Sequence, residues 1–467
     1  MKRHAVWALA LLSLSMSSCT ALRYNVPNVT DYKIFKTSTV QRSNNPTNLI
    51  KATNNAILPD EFLWAVSKKD DSYYEYASPE KFLEEMGTHS LIIVRNDSIL
   101  YEKYFNGFQP NDIQTVFSIT KSFASALTAI AIQEGYIKSI YQPVSDFIPE
   151  YKFNGRDKIT INHLLQMTSG VAEKDFKDLG KLMFFYYAKD QEAKCEKLKM
   201  RYLPGTQFQY SSMTTQILGM CVERATGKKF AEYLREKIWN PLGMEHDALV
   251  SLDKNGSAKQ YGGLTANPRD LVKFGQLYLK KGNWNGKQII SEDWVKATQT
   301  RDTIEGKSAA YSHCFWLDTY PLENKFDKED YFAGGFRGQV IYVNPKNNTV
   351  IVRTGHKEGS VHWGRALSKL SHFPLKESDG AIDEQNVASL NGKYKNKFGK
   401  IINLSVKGGK LILHDDDDDF DSELEQSSNV TFIDKKHGKK VLVELNENQI
   451  KGLIVEAGKE SYYYTKN

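Results

Sequence analysis

A serine and a lysine three positions apart are the clearest chemical feature of the sequence. Ser118 and Lys121 open an alanine-rich apolar stretch that runs to Glu134 and stops at Gly135. This pattern predicts a helix with both side chains on one face, one turn apart. A lysine desolvated against an apolar wall can lose its charge and accept a proton from a hydroxyl, and N–H groups at the helix start can stabilise an oxyanion. The pair therefore predicts an activated serine, with a solvated Ser-x-x-Lys pair as the alternative.

A second polar segment places a tyrosine and a serine after a proline-glycine turn. Residues 204–212 read Pro-Gly-Thr-Gln-Phe-Gln-Tyr-Ser-Ser, which predicts a turn followed by polar groups that can face a cleft. Tyr210, as a phenolate or as a relay with Lys121, could take the Ser118 proton and later give it to the leaving group. The alternative is an ordinary tyrosine at the core edge, in a chain that contains 25 tyrosines.

A third segment is dense in glycine inside a predicted strand. Residues 331–339 read Tyr-Phe-Ala-Gly-Gly-Phe-Arg-Gly-Gln. Glycine weakens a strand, and its presence is explained where a ligand or another backbone approaches closely; the alternative is a bulge. If this edge faces the cleft, the N–H of Phe336 would join that of Ser118 in an oxyanion hole, where one donor is worth roughly a hundredfold to a thousandfold in rate.

These segments, in this order, resemble the serine hydrolases related to class C β-lactamases, penicillin-binding DD-peptidases and 6-aminohexanoate-dimer hydrolases. The resemblance covers residues 58–374. It also rests on Ile-Thr-Ile-Asn-His-Leu-Leu at 159–165, Thr-Ser-Gly at 168–170, Gly-Gly-Leu at 262–264 and Arg-Asp-Leu at 269–271. The Ala-x-Gly-x-x-Gly-Gln form of residues 333–339 is similar to that of the 6-aminohexanoate-dimer hydrolases.

The resemblance implies a role for each matched residue. It implies Ser118 as the acyl-forming nucleophile and Lys121 with Tyr210 as the proton-transfer pair. The oxyanion and substrate contacts it implies come from Ser118, Phe336, Ser212, Gly335 and Ala333.

Two departures from the penicillin-recognising members bear on the substrate. Those members usually carry Asn where Ser212 stands, and Lys or His with Thr-Gly where residues 333–335 stand. Without that cation, the carboxylate of a β-lactam or of a peptide terminus loses a partner. Arg337 could replace it, but strand alternation can turn its side chain away. Efficient β-lactamase activity is therefore not expected.

The elements that must hold these segments predict an α+β fold. Residues 90–94 and 99–105 alternate as a hairpin, residues 135–300 are mostly helical, and strands return at 312–317, 331–343 and 349–354. Asn267 can cap a helix over 268–281, and a last helix is predicted near 362–371. Strands from both ends of the domain would form one antiparallel sheet. With the resemblance, this indicates a β-lactamase/transpeptidase-like sheet flanked by helices over residues 58–374.

The C-terminal part of the chain predicts a second, smaller domain. A linker spans residues 375–385, and in 386–467 short strand-like runs alternate with turns such as Lys-Gly-Gly at 407–409. This pattern is typical of a small antiparallel barrel or sandwich, and it resembles the β domains appended to such hydrolases. The acidic run at 415–419 lacks the ligand spacing of a calcium loop and indicates a solvated turn.

The N-terminus predicts export and a lipid anchor. Residues 1–19 carry a basic start, an apolar run over 5–14 and small residues before Cys19, which resembles a bacterial lipoprotein lipobox. Residues 20–57 are polar and predict a tether. We expect lipid anchoring through Cys19 to a bacterial membrane, facing the periplasm or cell surface; the alternative is a plain cleaved signal in which Cys19 is incidental.

Composition excludes several other classes of function. The 467 residues carry a formal charge of +6 with no basic stripe interleaved with aromatics, so nucleic-acid binding has no support. The cysteines at 195, 221 and 314 show no C-x-x-C spacing, and the ten histidines are scattered. We expect no disulfide framework, no metal and no cofactor.

The sequence thus predicts an exported serine hydrolase that cleaves an ester or amide bond in a small-molecule or peptide-like substrate. A cell-wall D-amino-acid peptidase is the nearest enzymatic alternative. From another class comes a catalytically silent sensor or binding protein that keeps the penicillin-binding-like fold. A Ser-His-Asp hydrolase is disfavoured because the sequence has no Gly-x-Ser-x-Gly elbow.

Overall fold

A computed structural model describes residues 26–52, 56–58, 78–171, 179–300, 308, 310–317, 329–359, 361–372, 376–377, 390–407, 410–415, 421–428, 431–434, 436–446, 449–457 and 460–466. The chain divides into two compact units, one within residues 1–53 and 57–375 and the other within 54–56 and 376–467. Cys19 and most of the acidic run at 415–419 lie outside the described residues. Within the described ranges, no helix has both the length and the apolar character needed to span a bilayer.

The helices and strands of the first part of the chain are numbered in chain order. The strands are β1 (Lys36–Val40), β2 (Ile50–Lys51), β3 (Ala56–Ile57), β4 (Thr88–Arg95), β5 (Ser98–Tyr104), β6 (Gln114–Thr115), β7 (Ala248–Leu252), β8 (Leu264–Ala266), β9 (Asn283–Trp284), β10 (Lys287–Gln288), β11 (Tyr311–Ser312), β12 (Phe315–Leu317), β13 (Tyr331–Gly335), β14 (Gln339–Asn344), β15 (Thr349–Gly355) and β16 (Lys376–Glu377). The α-helices are α1 (Pro79–Glu85), α2 (Ile119–Gln133), α3 (Ile161–Leu165), α4 (Leu179–Tyr186), α5 (Gln191–Glu196), α6 (Ser212–Thr226), α7 (Phe230–Leu234), α8 (Pro268–Leu279), α9 (Glu292–Gln299) and α10 (Trp363–His372).

An eight-stranded sheet forms the centre of the first unit, in the order β11-β12-β13-β14-β15-β4-β5-β2. Strands from both ends of the unit meet where β15 pairs antiparallel with β4. Because side chains alternate along a strand, the sheet buries both faces. On β4, Ile92 and Val94 join the core cluster that includes α2 and α8, whereas Leu91 and Ile93 join the cluster that includes α1 and α10. The predicted α+β architecture is confirmed.

The glycine-dense segment is two strands, and the prediction of one strand over 331–343 is wrong. β13 and β14 pair antiparallel, with Gly335 opposite Gln339, and residues 336–338 form the tight turn between them. Arg337 has φ 66° and Gly338 has φ 77°, conformations that a continuous strand does not contain. The glycines therefore mark a turn at the strand ends.

The polar N-terminal segment also differs from the predicted tether. β1 pairs with β7 in a second sheet of order β1-β7-β8-β6. Val29, Asp31 and Val40 are buried, and the Thr115 N–H donates to the Val29 carbonyl at 2.9 Å. The segment thus adds a fourth strand at the β7 edge of this sheet. Its described part therefore belongs to the first unit.

The second unit contains a closed antiparallel barrel of eight strands. They are β17 (Gly392–Asn396), β18 (Ile401–Lys407), β19 (Lys410–Asp415), β20 (Ser422–Ser428), β21 (Thr431–Ile433), β22 (Lys439–Asn446), β23 (Gln449–Ala457) and β24 (Glu460–Lys466). Closure occurs where β17 pairs with β24. Inward-facing side chains such as Tyr394, Leu413 and Val441 fill the interior. Of the two predicted shapes, the barrel is the one formed.

Candidate active site

Ser118 lies at the junction between a strained turn and the buried helix α2. It occupies the N-cap position of α2, whose first thirteen residues are all buried. Phe117, immediately before it, has φ 47°, a conformation that non-glycine residues adopt rarely. Such strain persists only where the surroundings enforce it. The turn therefore fixes where the Ser118 hydroxyl points.

Hydrogen bonds from the second sheet hold this turn in place. The Val116 N–H donates to the Leu264 carbonyl at 2.9 Å. The Thr120 hydroxyl donates to the Phe117 carbonyl at 2.6 Å and accepts from the Leu264 N–H at 3.1 Å. Thr120 is fully buried. β8 is thus the element against which the nucleophile turn is built.

The Lys121 amine is buried at the centre of the site, with 1% of the residue exposed. Its Nζ lies 2.9 Å from Ser118 Oγ and 3.2 Å from Ser212 Oγ. It also donates to the Tyr261 carbonyl at 2.8 Å. An amine so placed can direct N–H groups to Tyr261 and Ser212 while its lone pair faces the Ser118 hydroxyl. The 2.9 Å separation lies within the range over which a base can take a proton from a hydroxyl.

Tyr210, just before α6, and Ser212, the first residue of α6, reach the same point. The Tyr210 ring centroid lies 5.2 Å from Lys121 Nζ. The ring stacks on Trp316 at 5.2 Å and meets Tyr311 edge-on at 5.7 Å. Ser212 is the first residue of α6 and is 3% exposed. The structure therefore brings Ser118, Lys121, Tyr210 and Ser212 together, as the sequence predicted.

The end of β13 lies against the nucleophile turn. A Cβ at Gly335 would stand 2.3 Å from the Val116 carbonyl oxygen, so only glycine permits this approach. The Phe336 ring is 41% exposed and meets Phe117 edge-on at 5.6 Å. Ala333 is fully buried in the core cluster that contains α2, so its side chain is not open to solvent.

Arg337 is turned away from this junction. Its guanidinium donates to the Pro27 carbonyl at 2.8 Å and to the His356 carbonyl at 2.6 Å. Tight-turn geometry, with φ 66° at Arg337, sets this direction. The possibility that Arg337 replaces the missing cation of the penicillin-recognising members thus has no geometric support in the structure.

Tyr261 is a site residue that sequence reasoning missed. Its carbonyl accepts from Lys121 Nζ, and its hydroxyl accepts from Gln191 Nε2 at 2.9 Å. The available signal was the pair Gly262-Gly263 that follows it, because a Cβ at Gly263 would stand 2.7 Å from the Lys259 Cβ. The tight backbone path after Tyr261 is what turns its carbonyl toward the amine.

A second buried amine lies two residues before Tyr261. Lys259 donates to the Tyr186 carbonyl, and its Nζ lies 4.0 Å from the centroid of the Phe35 ring. Burial, partly offset by the charges of Asp253 and Asp31, lowers the pKa of Lys259 to about 7. In the described ranges, no group of three or more metal-ligating side chains is found.

Comparison with known proteins gives sequence matches over much of the chain. The sequence model of the beta-lactamase family matches residues 80–367, more than half of the chain. The chain is 26% identical over 294 residues to the 6-aminohexanoate-dimer hydrolase of Paenarthrobacter ureafaciens, covering 59% of this chain and 74% of that protein. It is 24% identical over 251 residues to an N-acetylmuramyl-L-alanine amidase of Bacillus subtilis, covering 48% and 55% respectively.

Solved structures share the fold. A Bacillus anthracis protein assigned as a 6-aminohexanoate-dimer hydrolase aligns with a TM-score of 0.61 and 23% identity, over 74% of this chain and 92% of that one. A Bacteroides dorei protein assigned as a beta-lactamase aligns with a TM-score of 0.53 and 21% identity, over 63% and 97%. The predicted β-lactamase/transpeptidase-like fold is confirmed.

Proposed function

Since the chain belongs to the beta-lactamase family, we propose that it is an exported serine hydrolase that cleaves an ester or amide bond through an acyl-enzyme on Ser118. One observation carries the proposal: a lysine amine that is 1% exposed lies 2.9 Å from the serine hydroxyl. A buried amine needs hydrogen-bond partners in any case, but one of the partners here is the hydroxyl at the start of α2, the group that a base for a nucleophile must contact.

Acylation would begin when Ser118 Oγ attacks the substrate carbonyl carbon. The Oγ–C bond forms as the hydroxyl proton passes to the Lys121 lone pair, and the carbonyl π electrons move to oxygen. The N–H groups of Ser118 and Phe336 would stabilise that oxyanion. When the tetrahedral intermediate collapses, the bond to the leaving alcohol or amine breaks, and the proton reaches that group through Lys121 and Tyr210.

Deacylation repeats the sequence with water. Water gives a proton to the same base and attacks the acyl carbon, and collapse releases the carboxylic acid and returns the proton to Ser118 Oγ. Ser212 Oγ lies 3.2 Å from Lys121 Nζ and would keep the amine oriented between acylation and deacylation. The chain's own residues relay every proton in this scheme, and water is the co-substrate that replaces the proton carried off by the leaving group.

The surroundings of the nucleophile support one substrate class over another. Phe336 and Phe117 form an aromatic edge beside Ser118, and Arg337 is bound to main-chain carbonyls away from it. This arrangement favours an acyl group without a carboxylate at the position that a penicillin carboxylate would occupy. We therefore place ester and amide turnover above β-lactam turnover. The relationship to the 6-aminohexanoate-dimer hydrolase, an enzyme named for an amide substrate, supports amides as candidates.

The test is covalent labelling of the purified chain with a fluorophosphonate and with a penicillin probe, with adducts located by mass spectrometry. We expect a phosphonate adduct on Ser118, none in Ser118→Ala, and slow or no penicillin adduct. Ser122→Ala is the matched control, because Ser122 lies one turn further along α2 and bonds to the Cys314 carbonyl at 2.8 Å. It should label like the native chain.

Other outcomes select the alternatives. A penicillin adduct on Ser118 together with cleavage of D-Ala-D-Ala peptides, and no cleavage of p-nitrophenyl esters, would favour the D-amino-acid peptidase. A folded chain that labels with neither probe would favour the catalytically silent binding protein. Labelling at a residue other than Ser118 would refute the mechanism.

A further inference from the structure

The turn that carries Phe336 is held by buried side chains. The Phe336 carbonyl accepts from Gln339 Nε2 at 3.2 Å. The carbonyls of Arg337 and Gly338 accept from the Arg353 guanidinium at 2.9 and 2.7 Å. Gln339 and Arg353 are both 0% exposed. A buried donor on each carbonyl of a three-residue turn fixes the peptide planes of that turn.

The orientation of the Gln339 amide is set by main-chain atoms. Its Oε1 accepts from the Gly355 N–H at 3.0 Å, and its Nε2 donates to the Gly355 carbonyl at 2.6 Å. This paired contact identifies the amide oxygen and nitrogen, because an exchange would set donor against donor and acceptor against acceptor. The Nε2 that holds Phe336 is therefore fixed by β15.

A second buried glutamine completes the arrangement. Gln114, 2% exposed, donates from Nε2 to Gln339 Oε1 at 2.6 Å. Its Oε1 must then accept, and it lies 2.6 Å from His89 Nδ1. His89 Nε2 lies 3.0 Å from His356 Nδ1. Burial lowers the pKa of both imidazoles, which favours their neutral forms. When a neutral His89 donates from Nδ1 to Gln114 Oε1, its Nε2 accepts from His356 Nδ1. In this arrangement each hydrogen bond of the series, from His356 through His89 and Gln114 to Gln339, runs in the same direction.

We propose that Gln339 is a positioning residue for the oxyanion turn, and that Gln114, as a second donor to Gln339 Oε1, supports the amide orientation that Gly355 sets. The Gly335–Phe336 peptide is held on one side by the pairing of Gly335 with Gln339 and on the other by Gln339 Nε2 on the Phe336 carbonyl. One residue thus clamps both ends of the segment that presents the Phe336 N–H. The assignment rests on the proposed function, because it concerns the donor that acylation would use.

The first test is Gln339→Met, which keeps an unbranched side chain and removes both the donor and the acceptor. The N–H acts on the transition state more than on the bound ester, so kcat should fall by roughly tenfold to a hundredfold while KM stays within about twofold. Labelling of Ser118 by the fluorophosphonate should slow by a similar factor. Gln276→Met is the matched control: Gln276 is 3% exposed, donates to Asp97 at 3.2 Å and lies on α8. Its kcat should not change.

A second variant covers the case in which Gln339→Met does not fold. Gln114→Glu has nearly the same shape, but an ionised carboxylate has no donor for Gln339 Oε1. Its kcat at pH 8 should be at least fivefold below that of the native chain. The ratio of variant to native kcat should rise as the pH falls toward 5, because a protonated carboxyl regains a donor. A purely structural defect would leave this ratio independent of pH.

The outcomes separate this proposal from the function on which it rests. If the native chain labels on Ser118 and hydrolyses the ester, but folded Gln339→Met and Gln114→Glu keep kcat within twofold at every pH, the positioning role is overturned and the hydrolase stands. An equal loss of kcat in Gln276→Met also overturns it. If the native chain is not labelled on Ser118 and does not hydrolyse the ester, the proposed function is refuted, and the positioning role is refuted with it.

Discussion

Replacing Gly335 by alanine tests the packing of β13 against the nucleophile turn. The added Cβ would stand 2.3 Å from the Val116 carbonyl oxygen, whereas ordinary contact begins at 3.4 Å. The two backbones must therefore separate by about 1.1 Å, the difference between those distances. The Gly335 backbone is extended, with φ −133° and ψ 154°, so alanine brings no dihedral strain there. The effect is thus purely steric.

The expected consequence is a large loss of rate in a chain that still folds. A misplacement of about 1 Å can cost roughly a hundredfold in rate, and overpacking costs about 1–3 kcal/mol of folding free energy. We expect kcat/KM for a p-nitrophenyl ester to fall by about a hundredfold, equivalent to about 2.7 kcal/mol of transition-state stabilisation. The assay should run well below the melting temperature found for the variant by circular dichroism.

The neighbouring glycine provides the matched control. A Cβ at Gly334 would approach the Trp316 Cδ1 atom to 3.3 Å, a side chain that can yield by a few tenths of an ångström. Gly334→Ala should therefore retain activity within about threefold. The reasoning is refuted if folded Gly335→Ala also stays within threefold of the native rate, or if both variants lose the same amount.

Three further predictions concern the amines and the anchor. Lys121→Met should lower kcat/KM by roughly a hundredfold to ten-thousandfold with the fold retained; a loss under tenfold would exclude the amine as the base. Burial lowers the pKa of Lys259 to about 7, below its value in the unfolded chain. Between pH 7 and about 10 the unfolded chain therefore binds more protons than the folded one. The contribution of Lys259 to the free energy of unfolding then rises with pH. Urea titrations at pH 7.5 and 9 should show a contribution of about 1.4 kcal/mol per pH unit that Lys259→Met lacks, and equal slopes would contradict the assignment. Cys19→Ala, expressed in a Gram-negative host, should move the chain from the detergent-extracted membrane fraction to the aqueous one; unchanged partitioning would remove the lipid anchor.

The sequence by itself determined the main helices, the strands at both ends of the first unit and the chemistry available to them. Apolar residues over 119–133 and the start signals at Asn267 and Pro268 predicted α2 and α8 closely, because local periodicity and capping act within a few residues. The α+β class followed from strands at both ends of the unit. The pairing of Ser118 with Lys121 also followed, since one helical turn separates them in any helix.

Tertiary structure decided which segments, distant in the chain, contact one another at the site. No local signal shows that the Tyr261 carbonyl meets Lys121, that Gly335 abuts Val116, or that Arg337 binds the Pro27 carbonyl. These contacts join segments that are far apart in the chain, and their existence depends on how the sheets and α2 pack. For the same reason the polar N-terminal segment, which has little apolar character of its own, became a strand only because β7 offered it an open edge.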